Sequence, residues 1–129
     1  MQNREKNKKR VVIVEDDRLL AIVLKKMAAS LNFEVLEVSV TGESAIDAVK
    51  KHKPDLVFMD IFLAGDITGI DAMKQIREYS SVPCIYITAQ SDLGIRKQAA
   101  EVDNSFYMLK PVNIRELQSA VSGVENFAA

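Results

Sequence analysis

Val11-Val12-Ile13-Val14-Glu15-Asp16-Asp17 decides the reading of this chain. Four consecutive β-branched residues without polar alternation are the pattern of a parallel strand covered on both faces. Three acids end the run. Asp17 has the short polar side chain that caps a helix. Leu20, Val23, Leu24, Met27 and Leu31 follow at the spacing of one apolar helical stripe.

The same strand-then-helix unit repeats outward from that segment. Phe33-Glu34-Val35-Leu36-Glu37-Val38 reads as a more polar strand suited to a sheet edge, and residues 41–50 as a short helix with Ala45, Ile46 and Val49 inward. Pro54 precedes a third strand, Asp55-Leu56-Val57-Phe58-Met59-Asp60. A loop with Gly65 and Gly69 leads to a helix carrying Ile70, Met73 and Ile76. Residues 82–88 read as a fourth strand, and 91–102 as a weaker helix with Ile95, Ala99 and Val102 on one side. Residues 105–109 form a fifth strand, and Asn113 caps a last helix bearing Ile114, Leu117, Val121 and Val124. Five such units predict an α/β, doubly wound fold, a five-stranded parallel sheet with helices on both faces. Right-handed crossovers restrict its topology. In such sheets the site lies beyond the carboxyl ends of the strands, where the strand order switches.

The chain has 129 residues, of which 48% are hydrophobic and 27% charged, enough apolar material for one core and too little length for two. The net charge is -1, unevenly spread. Arg4, Lys6, Lys8, Lys9 and Arg10 face only Glu5 at the start, which leaves 12 basic and 17 acidic residues beyond. Such an arm can touch nucleic acid or anionic lipid, but its ordinary role is a solvated terminus. Residues 1–9 therefore read as a flexible basic tail, 10–125 as the domain and 126–129 as a C-terminal tail. Cys84 is the single cysteine, so no internal disulfide forms, and it reads as a small core residue. No apolar run approaches the ~20 residues of a membrane span, and no signal-peptide pattern opens the chain. The expected location is the cytoplasm, with no membrane and no direct nucleic-acid partner.

The strand ends carry the chemistry. Strand one ends in Glu15-Asp16-Asp17, strand three in Asp60, strand four in Thr88 and strand five in Lys110-Pro111. A parallel sheet projects all of them from one edge. Two like charges ~4 Å apart cost about 4 kcal/mol at an effective dielectric near 20, so clustered carboxylates need compensation. Lys110 supplies one positive charge. A divalent cation supplies more, and oxygen-only ligands select Mg²⁺ or a similar hard ion such as Mn²⁺. A phosphoryl group in transfer spreads charge over three oxygens, and its catalysis is mostly placement and neutralisation.

Over residues 10–124 the chain resembles response-regulator receiver domains. The resemblance rests on Val14-Glu15-Asp16-Asp17, Asp60 at the end of a hydrophobic strand, Ile87-Thr88-Ala89 and Leu109-Lys110-Pro111. It implies a flavodoxin-like strand order 2-1-3-4-5 and a phosphorylation-controlled switch of a two-component phosphorelay, not a turnover enzyme. By that resemblance Asp60 is the phosphoacceptor. Asp16, Glu15 through water, Asp60 and the backbone carbonyl of Phe62 serve Mg²⁺. Lys110 and the N–H of Ala89 contact the phosphoryl group, and Thr88 is the switch hydroxyl. Tyr107 turns inward when Thr88 moves, and the Lys110-Pro111 bond is cis. The implied partners are a sensor histidine kinase or histidine phosphotransfer protein. Downstream, a target protein or a second copy of the chain docks on the face of helix four, strand five and helix five.

Three departures from the family pattern stand out. The segment from Asp60 to Gly69 lacks the usual Met-Pro and resembles a longer Leu-x-Gly variant. Phe62 is bulky where many members are small or polar, and Gln90 holds the other position that adjusts hydrolysis. The loop 102–105 lacks the usual glycine. An alternative reading is a Mg²⁺-dependent phosphohydrolase with Asp60 as nucleophile. Such enzymes use a second acid two residues on, where this chain has Phe62. His52, in a basic helix end that favours cations, reads as a surface residue and not a phosphodonor.

Overall fold

The computed structural model describes residues 8–128. Its elements are β1 (Lys9–Val14), α1 (Arg18–Ser30), β2 (Phe33–Ser39), α2 (Gly42–His52), β3 (Leu56–Met59), α3 (Gly69–Ile76), β4 (Cys84–Thr88), α4 (Leu93–Ala100), β5 (Ser105–Leu109) and α5 (Ile114–Ala128). The five strands form one sheet in the order β2-β1-β3-β4-β5, every pairing parallel. The polar β2 is an edge strand.

Alternation inside the apolar runs divides the core in two. Val12, Val14, Val57, Met59, Cys84 and Tyr86 point to one face, under α2, α3 and α4. Val11, Ile13, Leu56, Phe58, Ile85 and Ile87 point to the other, under α1 and α5. Caps fix the helix starts. Asp17 accepts from the Leu20 N–H, and Thr41 and Thr68 each close a reciprocal capping box, with Ser44 and Asp71.

Three expectations are corrected. β1 begins at Lys9, inside the segment read as a tail, because Lys9 and Arg10 register with Phe33 and Glu34 of β2; residues 1–7 lie outside the described residues. α5 continues to Ala128, past the boundary placed at 125; Glu125-Asn126-Phe127-Ala128 contains no helix breaker. Val23, read on the apolar stripe of its helix, and Ile114, read among the apolar positions of the last helix, are each 38% exposed. They lie at the margins of helix faces whose centres are Leu24 and Leu117, 1% and 0% exposed.

The loop before β5 dispenses with glycine because Asn104 takes the left-handed conformation, φ +60°, which asparagine tolerates better than other side chains. Its Nδ2 also donates to the Ser81 carbonyl at 2.9 Å. The Arg77 guanidinium ties the same loop to the end of α3 by donating to the carbonyls of Ser80, Asp103 and Asn104. Asn104→Ala removes the bond and imposes a left-handed alanine, so a loss of about 1–2 kcal/mol is expected in urea unfolding. Asn104→Gly restores the backbone freedom and is expected to lose less.

Candidate functional site

Backbone ladder bonds continue just past the strands and fix where the site residues emerge. The Glu15 N–H donates to the Ser39 carbonyl at 2.9 Å, the Asp60 N–H to Val14 at 3.0 Å and the Lys110 N–H to Thr88 at 2.9 Å. Residues distant in sequence are thus held at one sheet edge. The Lys110-Pro111 peptide is cis.

The side chains converge there. Lys110 Nζ donates to Asp60 Oδ2 at 2.9 Å. It also lies 3.0 Å from Glu15 Oε1, close enough for an ion pair but misaligned for a hydrogen bond, so that buried oxygen has no hydrogen-bond donor among the described residues. Asp60 Oδ1 accepts from its neighbour, the Ile61 N–H, at 2.8 Å. Glu15 Oε2 accepts from the Asp17 N–H at 3.1 Å, and Asp16 Oδ2 from the Ala64 N–H at 3.1 Å. Glu15 and Asp60 are 2% and 7% exposed, and Asp16 lies open at the rim.

The electrostatics follow from burial. Desolvation pushes the Glu15 carboxyl above its usual pKa, helped by the charge of Asp60 and opposed by the Asp17 N–H and Lys110. For Lys110 desolvation acts to lower the pKa, but its pairing with the Asp60 and Glu15 carboxylates outweighs it and the net shift is upward. The lysine is therefore charged throughout the neutral range. One ammonium among three carboxylates leaves the cluster anionic.

The residues present fit a divalent cation. Glu15, Asp16 and Asp60 each offer one carboxylate oxygen, and these oxygens lie within 4.8 Å of one another. The donors are all oxygen, and one oxygen of Glu15 has no hydrogen-bond donor among the described residues. That chemistry suits Mg²⁺ or Mn²⁺ and not a soft metal.

The comparisons bear on this arrangement directly. The family model described as the response regulator receiver domain matches residues 11–122. The chain belongs to the response-regulator receiver family. Among similar proteins is the transcriptional regulatory protein PdtaR of Mycobacterium tuberculosis, 31% identical over 113 residues, covering 88% of this chain and 55% of that protein. Another is YvrH of Bacillus subtilis, 29% identical, covering 86% of this chain and 46% of that protein. The chain thus spans about half the length of the curated relatives it matches. Among solved structures, the signal receiver domain of a modulated diguanylate cyclase from Desulfovibrio desulfuricans superposes with a TM-score of 0.83 at 30% identity. That match covers 92% of this chain and 94% of the other. The strand order agrees with this family.

The other residues singled out in the receiver domain's sequence lie around the cluster. Thr88 ends β4, 1% exposed, and its Oγ1 accepts weakly from the Gln90 N–H at 3.4 Å. Ala89 follows at the surface. The Phe62 side chain is 49% exposed. Tyr107 on β5 is half-buried. Its hydroxyl donates to the Gln90 carbonyl at 2.5 Å, and the Arg96 guanidinium stacks 4.9 Å from its ring centre. Tyr107 is therefore tied to the segment that follows Thr88. His52 pairs with Glu37 on α2 and β2, away from the cluster.

Sequence reasoning missed two features. Leu19, Ile22 and Val23 form an exposed apolar stripe on α1, 73%, 50% and 38% accessible, beginning two residues after Asp17. The contact of Ala64 with Asp16 was also invisible, because it is a backbone donor supplied by a loop. Among the described residues no helix is long and apolar enough to cross a membrane.

Proposed function

We propose that Asp60 is the phosphoacceptor of this receiver domain and that phosphorylation there controls binding of partners. The observation that carries the reading is Asp60 at 2.9 Å from the Lys110 ammonium, within an otherwise acidic cluster. An Asp60 carboxylate oxygen attacks the phosphorus of a phosphohistidine on a sensor kinase or phosphotransfer protein. The P–O bond forms as the P–N bond breaks, and the imidazole leaves with a proton from solvent. Lys110 follows the charge from the free carboxylate to the phosphoryl oxygens. Thr88 supplies a hydroxyl donor, and Ala89 an N–H. Glu15, Asp16, Asp60 and the Phe62 carbonyl would hold Mg²⁺, which when bound neutralises charge on the phosphoryl group. The exposed stripe Leu19, Ile22 and Val23 offers an apolar surface to the donor's helix.

The output follows from Thr88 and Tyr107. The aspartyl phosphate adds strong acceptor oxygens. As Thr88 turns toward them, its weak contact with the Gln90 N–H is given up, and Tyr107 is freed from the Gln90 carbonyl. The face of α4, β5 and α5 then changes shape, and a target protein or second copy that prefers the new shape shifts the population. The chain acts as acceptor and switch. The phosphohydrolase alternative lacks its second acid, since Phe62 occupies that position.

Incubation with Mg²⁺ and acetyl phosphate, followed by intact mass, tests the reading. A gain of one phosphoryl group, prevented by EDTA, is expected; an unchanged mass with every donor tried would sink it. Phe62 bears on the lifetime of that product. A large apolar side chain two residues past Asp60 would hinder approach of the hydrolytic water. Phe62→Asn is therefore expected to shorten the phosphoryl half-life severalfold, followed as loss of the heavier species after donor removal.

A further inference from the structure

The segment Ala64-Gly65-Asp66, in the long loop after Asp60, crosses over and docks on the junction of β2 and α2. Ala64 makes a parallel bridge with Thr41. The Asp66 N–H donates to Glu43 Oε2 at 3.3 Å. Between them Gly65 sits at φ +97°. A Cβ there would lie 2.9 Å from Glu43 Oε1 and 3.3 Å from Thr41, so the contact is close as well as left-handed. Thr41 is itself held by the capping box that starts α2. At the near end of the same segment, the Ala64 N–H donates to Asp16 Oδ2 at 3.1 Å.

These contacts form one chain from Glu43 to Asp16. Outer partners that hydrogen-bond a metal-ligating carboxylate orient it and raise affinity. Asp16 lies exposed at the rim, where a free side chain would sample several rotamers. The Ala64 N–H holds Oδ2 of this carboxylate, which offers an oxygen within 4.8 Å of oxygens from Glu15 and Asp60. Beside the backbone bridge from Thr41, Glu43 supplies the docked segment with a side-chain acceptor. Glu43 also sits in the first turn of α2, where a carboxylate is favoured by the helix dipole. We propose that Glu43 is a positioning residue for divalent-cation binding, acting through the Ala64–Asp66 segment on Asp16. This rests on the reading of Glu15, Asp16 and Asp60 as the cation's ligands.

Mn²⁺ titration followed by electron paramagnetic resonance of the free ion tests it on the intact chain. Glu43→Ala is expected to weaken Mn²⁺ binding about tenfold, the lower end of the range for partners of metal ligands. Glu43→Gln keeps the acceptor and loses the charge, and is expected to stay within about twofold of the parent, since the exposed charge is largely screened. Asp92→Ala, which removes the α4 cap, lowers stability elsewhere and should leave Mn²⁺ binding unchanged. Amide exchange at Ala64 should quicken in Glu43→Ala and not in Asp92→Ala. Equal weakening in the Gln and Ala variants would overturn the proposal in favour of simple charge. Equal weakening in Asp92→Ala would overturn it in favour of general destabilisation. No binding by the parent, or binding that survives Asp16→Asn, would instead refute the ligand assignment beneath it.

Discussion

Asp60→Asn is expected to leave the chain's mass unchanged under conditions that add one phosphoryl group to the parent. The argument is chemical before it is structural. The attacking atom must be an anionic oxygen, and an amide oxygen is a far weaker nucleophile than a carboxylate. Its surroundings also alter. Lys110 Nζ donates to Asp60 Oδ2, and an amide nitrogen at that position faces the ammonium donor to donor. Lys110 retains the Glu15 carboxylate, 3.0 Å away, so the lysine is not stranded. The Ile61 N–H still finds an oxygen acceptor at Oδ1. The variant should therefore fold, with an unaltered far-ultraviolet circular dichroism spectrum, and fail only in the transfer. Loss of the Asp60 charge also removes one of the influences that raise the Glu15 pKa. Phosphorylation that persisted at full rate in this variant would move the acceptor to another side chain and undo the proposed mechanism.

The fold was readable because burial on both faces of a parallel sheet leaves an unmistakable pattern. Val11 to Val14 and Leu56 to Met59 are entirely apolar, and all eight side chains are buried. Helix starts were readable for the same local reason: Asp17 and Asn113 accept the N–H bonds that their positions require. The cluster was readable only through topology. Nothing local joins Glu15 to Lys110; they meet because β1 and β5 both end at the same edge of one parallel sheet. What escaped was information carried by backbone groups and by margins. The Ala64 N–H that meets Asp16 depends on a loop path that no periodicity encodes. Val23 and Ile114 follow the helical spacing, yet each lies at the edge of its buried face. Asn104 concealed a left-handed turn because glycine, the usual marker, is absent from that loop.

Gly69→Ala is expected to produce the largest loss of stability among the glycine substitutions. α3 begins against the end of β3. A Cβ at Gly69 would stand 2.0 Å from the Asp60 carbonyl oxygen and 2.7 Å from Met59 Cγ. The first of these is backbone and cannot rotate away. The Gly69 N–H meanwhile donates to the Ile61 carbonyl at 2.7 Å, so α3 cannot retreat without breaking that bond. Alanine gains at most about 1 kcal/mol over glycine from helix propensity. Overpacking of a rigid contact typically costs 1–3 kcal/mol or more, so the net effect should be a loss of about 2 kcal/mol in urea unfolding. Relief by moving the other partner is no better, because it displaces Asp60 itself. In the proposed transfer that side chain stays within reach of Lys110, so phosphorylation by acetyl phosphate should slow even where the variant remains folded. Gly94→Ala is the control. Its added carbon would approach only the Asp92 carboxylate, at 3.0 Å, and that side chain can yield, so its stability should change by less than about 1 kcal/mol. If Gly69→Ala unfolds no more readily than Gly94→Ala and takes up phosphate as fast as the parent, the close seating of α3 on the end of β3 is not what holds Asp60 in place.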